Sequence, residues 1–76
     1  MINELKKILL EKGNARKELI QNFQNHIWND EELPHDENIT ELLRDLAYDL
    51  DFCETDKRID EEIRTTMEKI QKLESR

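Results

Sequence analysis

One side of the segment from residue 37 to residue 53 should carry carboxylates and aromatic rings together. Successive side chains on a helix are about 100° apart, so residues three or four apart share a side. The side chains that fall on this side are Glu37, Glu41, Asp45, Asp49, Tyr48 and Phe52. Like charges four residues apart cost about 0.2–0.5 kcal/mol per pair, and aromatic rings among charges are typical of anchors for a binding partner. We interpret this side as the functional surface.

The same carboxylates are poorly suited to catalysis. Acid–base work by a pair such as Glu41 and Asp45 needs a raised pKa and the exclusion of water, and a convex helix surface provides neither. Asp49 and Asp51 resemble the start of a calcium-binding loop, but Glu54 stands where such a loop needs glycine. We therefore expect neither catalysis nor calcium binding from these acids.

Nucleophilic and zinc chemistry also lack a complete set of residues. Ser75, the only serine, lies next to the C-terminal residue, and Cys53, the only cysteine, has just His26 and His35 to share a zinc ion with. We expect His26 to be a surface or interface residue, His35 to be an ordinary loop residue and Cys53 to be an inert, buried thiol. The sequence thus predicts a protein that is not an enzyme and has no metal or cofactor.

Four apolar stripes at helical spacing predict the elements that must position these side chains. The expected helices cover about 2–12, 15–29, 37–53 and the stretch from the turn at 54–57 to about 74. The inner residues of the second helix should be Ala15, Leu19, Phe23 and Ile27, with Ile20 at the edge. Those of the third should be Ile39, Leu42, Leu43, Leu46, Ala47, Leu50 and Cys53. Those of the fourth should be Ile59, Ile63, Met67, Ile70 and Leu73.

The helix ends follow from capping residues. Gly13 should end the first helix in the left-handed conformation and Asn14 should cap the second, although a single kinked helix across both is the alternative. Asn38 begins a capping-box pattern for the third helix, and Thr55 or Asp56 is placed to cap the fourth. With one glycine, one proline and 41% charged residues, the chain is expected to form a single all-α domain, a compact antiparallel four-helix bundle.

Charge is unevenly distributed along the chain. The total is −7, yet residues 30–62 hold 14 acids and three bases, a net charge of −11. This stretch includes a predicted acidic surface loop with Pro34, in which Leu33 could be pinned to the core. So acidic a segment repels nucleic acid and anionic lipid and steers basic partners toward itself. Because no membrane span or signal-peptide pattern occurs either, we expect a cytoplasmic protein that binds neither nucleic acid nor membrane.

From Ala15 onward the chain resembles the small immunity proteins of the colicin D type, four-helix proteins that neutralise a tRNA-cleaving toxin made by the same cell. The likeness rests on the helix ARKELIQNFQNHIW, the Leu33-Pro34 loop followed by NITELLRDLAYDLD, the turn C-E-T-D at 53–56 and the closing helix IDEEIRTTMEKIQKL. The family tends to carry an aromatic-Glu-Pro-Asp turn after the third helix. Here Cys53, or Phe52 with a shift of one residue, takes the aromatic position, and Thr55 replaces the proline.

The resemblance implies an immunity protein that occludes the basic substrate cleft of a nuclease toxin, as a monomer in a 1:1 complex. Its carboxylates would pair with Lys and Arg of the toxin while Tyr48 and Phe52 fill apolar pockets. Trp28 is a secondary candidate, which could cover the acidic loop or serve as another anchor. The residues expected to bind the partner are Glu41, Asp45, Tyr48, Asp49, Phe52, Glu54, Asp56 and Trp28.

Three alternatives stay open at the level of sequence. The acidic side could simply be a solvated surface, and Tyr48 and Phe52 could pack against the first or fourth helix. The chain could also be a structural or regulatory interaction module, with the stripe of the fourth helix forming the seam of a helical homodimer, although Thr66 interrupts that seam.

Overall fold

Each of the four apolar stripes forms a helix in the computed structural model, which describes residues 2–29 and 36–75. The helices are α1 (Ile2–Leu10), α2 (Gly13–Trp28), α3 (Glu37–Leu50) and α4 (Asp56–Glu74). They pack in a ring in which α1 contacts α2 and α4, and α3 contacts α2 and α4. The described residues include no strand, and the predicted all-α, compact antiparallel four-helix bundle is confirmed. The predictions for Leu33, Pro34 and His35 lie outside the described residues.

The core lies where the four stripes meet. Its side chains are at most 5% exposed: Leu5, Ile8, Phe23, Ile27, Leu43, Leu46, Ala47, Leu50, Ile63 and Ile70. Half-buried side chains from the predicted stripes pack against them: Leu19, Ile20, Ile39, Leu42, Cys53, Ile59 and Met67. Leu73, near the end of α4, is also half-buried. Among the described helices none is long and apolar enough to cross a lipid bilayer.

The junction between α1 and α2 is a sharp turn at Gly13. This residue has a φ of 62°, the left-handed conformation that glycine adopts without steric cost, so the prediction of two separate helices is confirmed. The capping prediction for Asn14 is wrong, because α2 already begins at Gly13 and the extended residue before it, Lys12, takes the N-cap position without a side-chain cap bond. Asn14 is therefore inside the first turn, where it is exposed.

The inner side of α2 differs from the prediction at its start. Ala15 is exposed, whereas Arg16 is buried with 2% exposure. Arg16 precedes the buried Phe23 by seven residues, which puts both on the same side of the helix. Farther along α2, His26 lies at the interface with α1, where its Nδ1 is 2.6 Å from Oε1 of Glu4.

The Arg16 guanidinium caps the C-terminal end of α1. The last carbonyls of a helix have no partner within the helix and need donors from elsewhere. Nε of Arg16 donates to the carbonyls of Ile8 at 3.0 Å and Glu11 at 2.7 Å, and Nη2 donates to the carbonyl of Leu9 at 3.3 Å. One buried side chain of α2 thus closes the end of the preceding helix.

The same guanidinium ties α2 to the first turn of α4. Nη1 donates to Oδ1 of Asp56 at 3.2 Å and Nη2 donates to Oδ1 of Asp60 at 2.8 Å. Burial acts to raise the pKa of Asp60, but the hydrogen bond and charge of Arg16, helped by Lys12 and Arg64, outweigh it and hold that pKa below its ordinary value of 3.8. Arg16 therefore links three of the four helices.

The N-termini of α3 and α4 have side-chain caps. Asp36 caps α3, since its Oδ1 accepts from the backbone N–H of Asn38 at 2.8 Å and of Ile39 at 3.4 Å. The prediction that Asn38 caps this helix is wrong, because a carboxylate two residues earlier meets the free N–H groups and the positive end of the helix dipole. Thr55 caps α4 as predicted, with its Oγ1 accepting from Arg58 N–H at 3.2 Å.

Candidate partner-binding surface

The outer side of α3 is exposed as the spacing predicts. Glu41, Asp45 and Asp49 are exposed, and Tyr48 and Phe52 keep 62% and 67% of their surface in contact with water. These values disagree with the alternative in which both rings pack against α1 or α4. The structure therefore brings five of the predicted site residues together on one side of a single helix and the turn that follows it.

Tyr48 and Phe52 pack on each other. Their ring centroids are 5.1 Å apart and the ring planes are tilted by 53°, which is within the range preferred by aromatic pairs. Each ring thus restrains its neighbour while its outer face stays open. The two form one apolar patch, which we call the ring pair.

A tight turn after α3 keeps Phe52 beside Tyr48. The helix ends at Leu50, three residues before the predicted end, but the N–H of Asp51 still donates to the carbonyl of Tyr48 at 3.2 Å. The N–H of Phe52 likewise donates to the carbonyl of Asp49 at 3.0 Å. These three-residue bonds tighten the last turn, so that Phe52 continues the outer side of α3.

A buried amide of α2 holds the same turn from the inside. Nε2 of Gln24 donates to the carbonyl of Ala47 at 3.0 Å and to Oδ1 of Asp51 at 2.7 Å. Gln24 is only 6% exposed. Its bond to Ala47 is buried and therefore shielded from water, and its bond to the exposed Asp51 is partly buried. The end of α3 is therefore fixed to α2, and the ring pair stands on an ordered support.

Glu54 and Asp56 belong to a different part of the surface. They line an open cleft of about 470 Å³ between the first half of α2 and the α3–α4 turn, which the ring pair does not line. Glu54 is exposed, whereas the Asp56 carboxylate is engaged by Arg16. Asp56 thus already stabilises the bundle, and its binding of a partner stays a prediction.

Two lysines of α4 face two of the exposed carboxylates of α3. A shallow groove of about 410 Å³ between α3 and α4 is lined by Glu41 and Asp45 on one wall and by Lys69 and Lys72 on the other. The positive charges of the lysines reduce the negative potential of the groove. Asp49, which does not line the groove, stands farther along α3 beside the ring pair.

Trp28 lies on the last turn of α2 and is 56% exposed. It takes no part in the ring pair, which joins two residues of the α3 end. Its predicted contact with the acidic loop involves residues 30–35, outside the described residues. The role of Trp28 as a second anchor stays a prediction.

No family model matches this chain, and no curated protein or solved structure is significantly similar to it. The resemblance to the colicin D type of immunity protein therefore rests on the sequence segments that carry it. The geometry of the surface supplies the remaining argument about function.

Cys53 is half-buried beside this surface, and not buried as predicted, because it lies in the turn after the end of α3. Its Sγ donates to the carbonyl of Asp49 at 3.4 Å. Burial, followed by the charges of Glu62 and Asp49, raises the pKa of the Cys53 thiol against the opposing effect of Arg58. A thiol with a raised pKa is protonated at neutral pH and therefore weakly reactive.

Metal binding has no support in the described part of the chain, since no three His, Cys, Asp or Glu side chains converge there in a way that could hold an ion. What the arrangement can do is recognise a partner by charge and by aromatic contact. Carboxylates can pair with cationic side chains, and the ring pair can bury apolar or cationic groups.

Sequence reasoning missed two buried polar side chains, Arg16, which links α1 and α2 to α4, and Gln24, which fixes the end of α3. The spacing of Arg16 and Phe23 carried a signal, because residues seven apart share a side of the helix. The sequence nevertheless favours Ala15 over Arg16 for the inner side of this turn, because Ala15 is apolar and arginine is rarely buried unless it is paired. Its partners, 40 and 44 residues away in sequence, become neighbours only through the fold.

Proposed function

We propose that this protein is an immunity protein, which binds a basic nuclease toxin, of the tRNA-cleaving kind, and blocks the cleft that would hold the RNA phosphates. The complex contains one monomer of each protein and forms in the cytoplasm. No catalytic step, metal or cofactor is assigned to the chain, and it binds neither nucleic acid nor membrane. The observation that carries the proposal is the exposed ring pair beside Asp45 and Asp49 on a firmly held helix end.

The ring pair supports a binding role over a purely solubilising one. Solvated helix surfaces are charged, and large aromatic side chains are generally depleted from them. Here two rings remain more than half exposed although the core of this small bundle could use apolar area. Rigid aromatic anchors surrounded by polar groups are typical of binding hot spots.

The exposed carboxylates favour a basic protein as the binding partner. A nuclease presents Lys and Arg to phosphates, and carboxylates held on a folded surface can meet the same cations. The acidic segment would also speed the encounter through long-range attraction, which salt screens. A protein that takes the place of RNA phosphates inhibits the enzyme by preventing substrate entry.

The deciding experiment is a calorimetric titration against the nuclease domain encoded beside the gene, with a parallel assay of tRNA cleavage. We expect nanomolar binding that weakens from low salt to about 0.15 M salt, together with loss of cleavage at equimolar protein. Absence of binding in both buffers would overturn the proposal.

A truncation pair tests whether the proposed surface makes the contact. Tyr48→Ala should cost about 2 kcal/mol of binding free energy, as expected of a hot spot. Leu10→Ala is the matched control, because Leu10 is 82% exposed on α1 and lies outside the surface. Equal affinity of the two variants would place the interface elsewhere.

The homodimer alternative receives less support from the packing. Ile63 and Ile70, the centre of the proposed seam on α4, are at most 1% exposed within one chain. A seam cannot use side chains that the monomer already buries. A structural or regulatory interaction module without this seam is the second candidate. A monomer that does not bind the nuclease would favour it.

A further inference from the structure

The ring pair is an unusual patch because apolar surface and negative charge coincide there. Tyr48 and Phe52 are more than half exposed and pack on each other at 5.1 Å. The face of an aromatic ring carries partial negative charge. The carboxylates of Asp45 and Asp49 lie within a turn of the rings, and Asp49 is the one that does not share a groove with Lys69 and Lys72.

One part of this patch, around Phe52, is more favourable for a bound cation than the rest. Phe52 follows Asp49 by three residues and Asp45 by seven, so these carboxylates lie on the same side as its ring. Arg44 is four residues before Tyr48 and eight before Phe52, so its position on the helix is closer to Tyr48 than to Phe52. A cation is therefore best placed over Phe52, on the side of Asp49.

The chemistry of this part of the patch selects among possible occupants. A purely apolar side chain would strip water from two carboxylates without replacing their hydrogen bonds. A lysine ammonium could pair with one carboxylate, but it is compact and strongly hydrated. An arginine guanidinium is planar and weakly hydrated, so it can stack on a ring while it donates two hydrogen bonds to a carboxylate.

We propose that the ring pair, with Asp49 and Asp45, is a docking site for an arginine side chain of the basic partner, stacked on Phe52 and hydrogen-bonded to Asp49. The inference rests on the proposed function in taking the partner to be a basic protein. It differs from the expectation that the two rings fill apolar pockets of that partner.

The test uses three short peptides of one flexible sequence that contain arginine, lysine or citrulline at the same positions. Binding to the whole protein is followed by NMR of its backbone amides and aromatic rings. We expect the arginine peptide to shift the ring signals of Phe52 and Tyr48 and to bind roughly two- to fivefold more tightly than the lysine peptide. The uncharged citrulline peptide should leave these signals in place. Equal binding of arginine and lysine without ring shifts would overturn the inference.

Two substitutions of Phe52 separate the aromatic face from mere apolar bulk. Phe52→Leu keeps an apolar side chain but lacks the ring, and Phe52→Tyr keeps the ring. The preference for arginine should vanish in Phe52→Leu and persist in Phe52→Tyr, with both amide spectra otherwise unchanged. Persistence of the preference in Phe52→Leu would overturn the stacking on Phe52.

The peptide result and the nuclease result can fail independently. If the nuclease is inhibited by the wild type and equally by Phe52→Leu, the arginine site is overturned and the immunity function stands. If the arginine preference is present but no nuclease binds, the docking site stands and the proposed function is overturned.

Discussion

Arg16 shows how one buried charge can be stabilised by groups from three helices. All three of its guanidinium nitrogens donate hydrogen bonds, to the carbonyls that end α1 and to two carboxylates of α4. A buried ion is tolerated only when such partners replace water. The guanidinium suits this place because its rigid fork reaches several acceptors at once.

Replacing Arg16 by Met should therefore destabilise the fold strongly. The change leaves the carbonyls of Ile8 and Leu9 without the Arg16 donor and removes the closer of the two ion pairs of Asp60, leaving the one with Lys12 at 3.8 Å. We expect a loss of about 2–3 kcal/mol in the free energy of unfolding, below the cost of a fully buried pair because both carboxylates retain water contact. Urea denaturation followed by circular dichroism measures it. Lys17→Met is the control on an exposed site of the same helix, and a similar loss there would contradict the role of Arg16.

Acid should weaken the same contact through Asp60. Its pKa in the folded protein is below its ordinary value of 3.8, so the unfolded chain binds the proton more readily. The stabilisation is complete above about pH 5, and it is lost progressively as the pH falls past 3.8 and through the folded-state pKa. We expect Asp60→Asn to be less stable than the wild type at neutral pH and the difference to shrink on acidification. A constant difference in urea midpoints down to the lowest pH would argue against this linkage.

At the scale of elements, the α1–α2 junction depends on one backbone conformation. Gly13 has a φ of 62°, and a Cβ added there would meet no atom within 4 Å. A substitution is thus limited by backbone preference alone. Gly13→Ala should cost about 1–2 kcal/mol of stability, and Gly13→Asn less, because Asn visits the left-handed region more readily. Thermal unfolding of both variants measures this order, and an equal or reversed cost would mean that the turn relaxes.

The sequence predicted the elements of this fold better than their ends. The stripes on α3 and α4 repeat a helical period over several turns, so Leu43, Leu46, Ile63 and Ile70 could be assigned to the core. The cap of α3 was misassigned, because Asp36 and Asn38 are both good capping residues and only the backbone path distinguishes them.

The sequence likewise predicts only part of the candidate surface. Helical spacing indicates which residues are exposed, but the contacts between helices that support them appear only in the fold. Helical spacing put Tyr48 and Phe52 on the exposed side of α3, which is a local property. The bond from Gln24 to Asp51 that supports their turn joins residues 27 apart in sequence. Local patterns contain no information about such a contact. The lysines that face Glu41 across the α3–α4 groove depend on helix pairing in the same way.

For the whole molecule, burial of the α4 stripe predicts the oligomeric state. Ile63 contributes to the core of a single chain, so we expect a monomer in sedimentation at both low and high concentration. Ile63→Lys would place a charge inside that core, which costs more than a bundle of this size can supply. The variant should unfold. A folded Ile63→Lys monomer derived from a wild-type dimer would instead support the α4 seam.

Charge distribution over the whole molecule leads to the last prediction, which separates attraction at a distance from contact. Asp49→Lys and Glu18→Lys change the net charge of −7 by the same amount, and both residues are exposed. Long-range steering depends on the overall field, so both variants should associate more slowly with the basic nuclease, and added salt should reduce the difference from wild type.

Only Asp49 lies beside the ring pair, so only the charge reversal at Asp49 should also speed dissociation, by about tenfold or more for a buried charged hydrogen bond. Surface plasmon resonance at two salt concentrations yields both rates. Equal dissociation rates for the two variants would show that α3 attracts the partner without touching it.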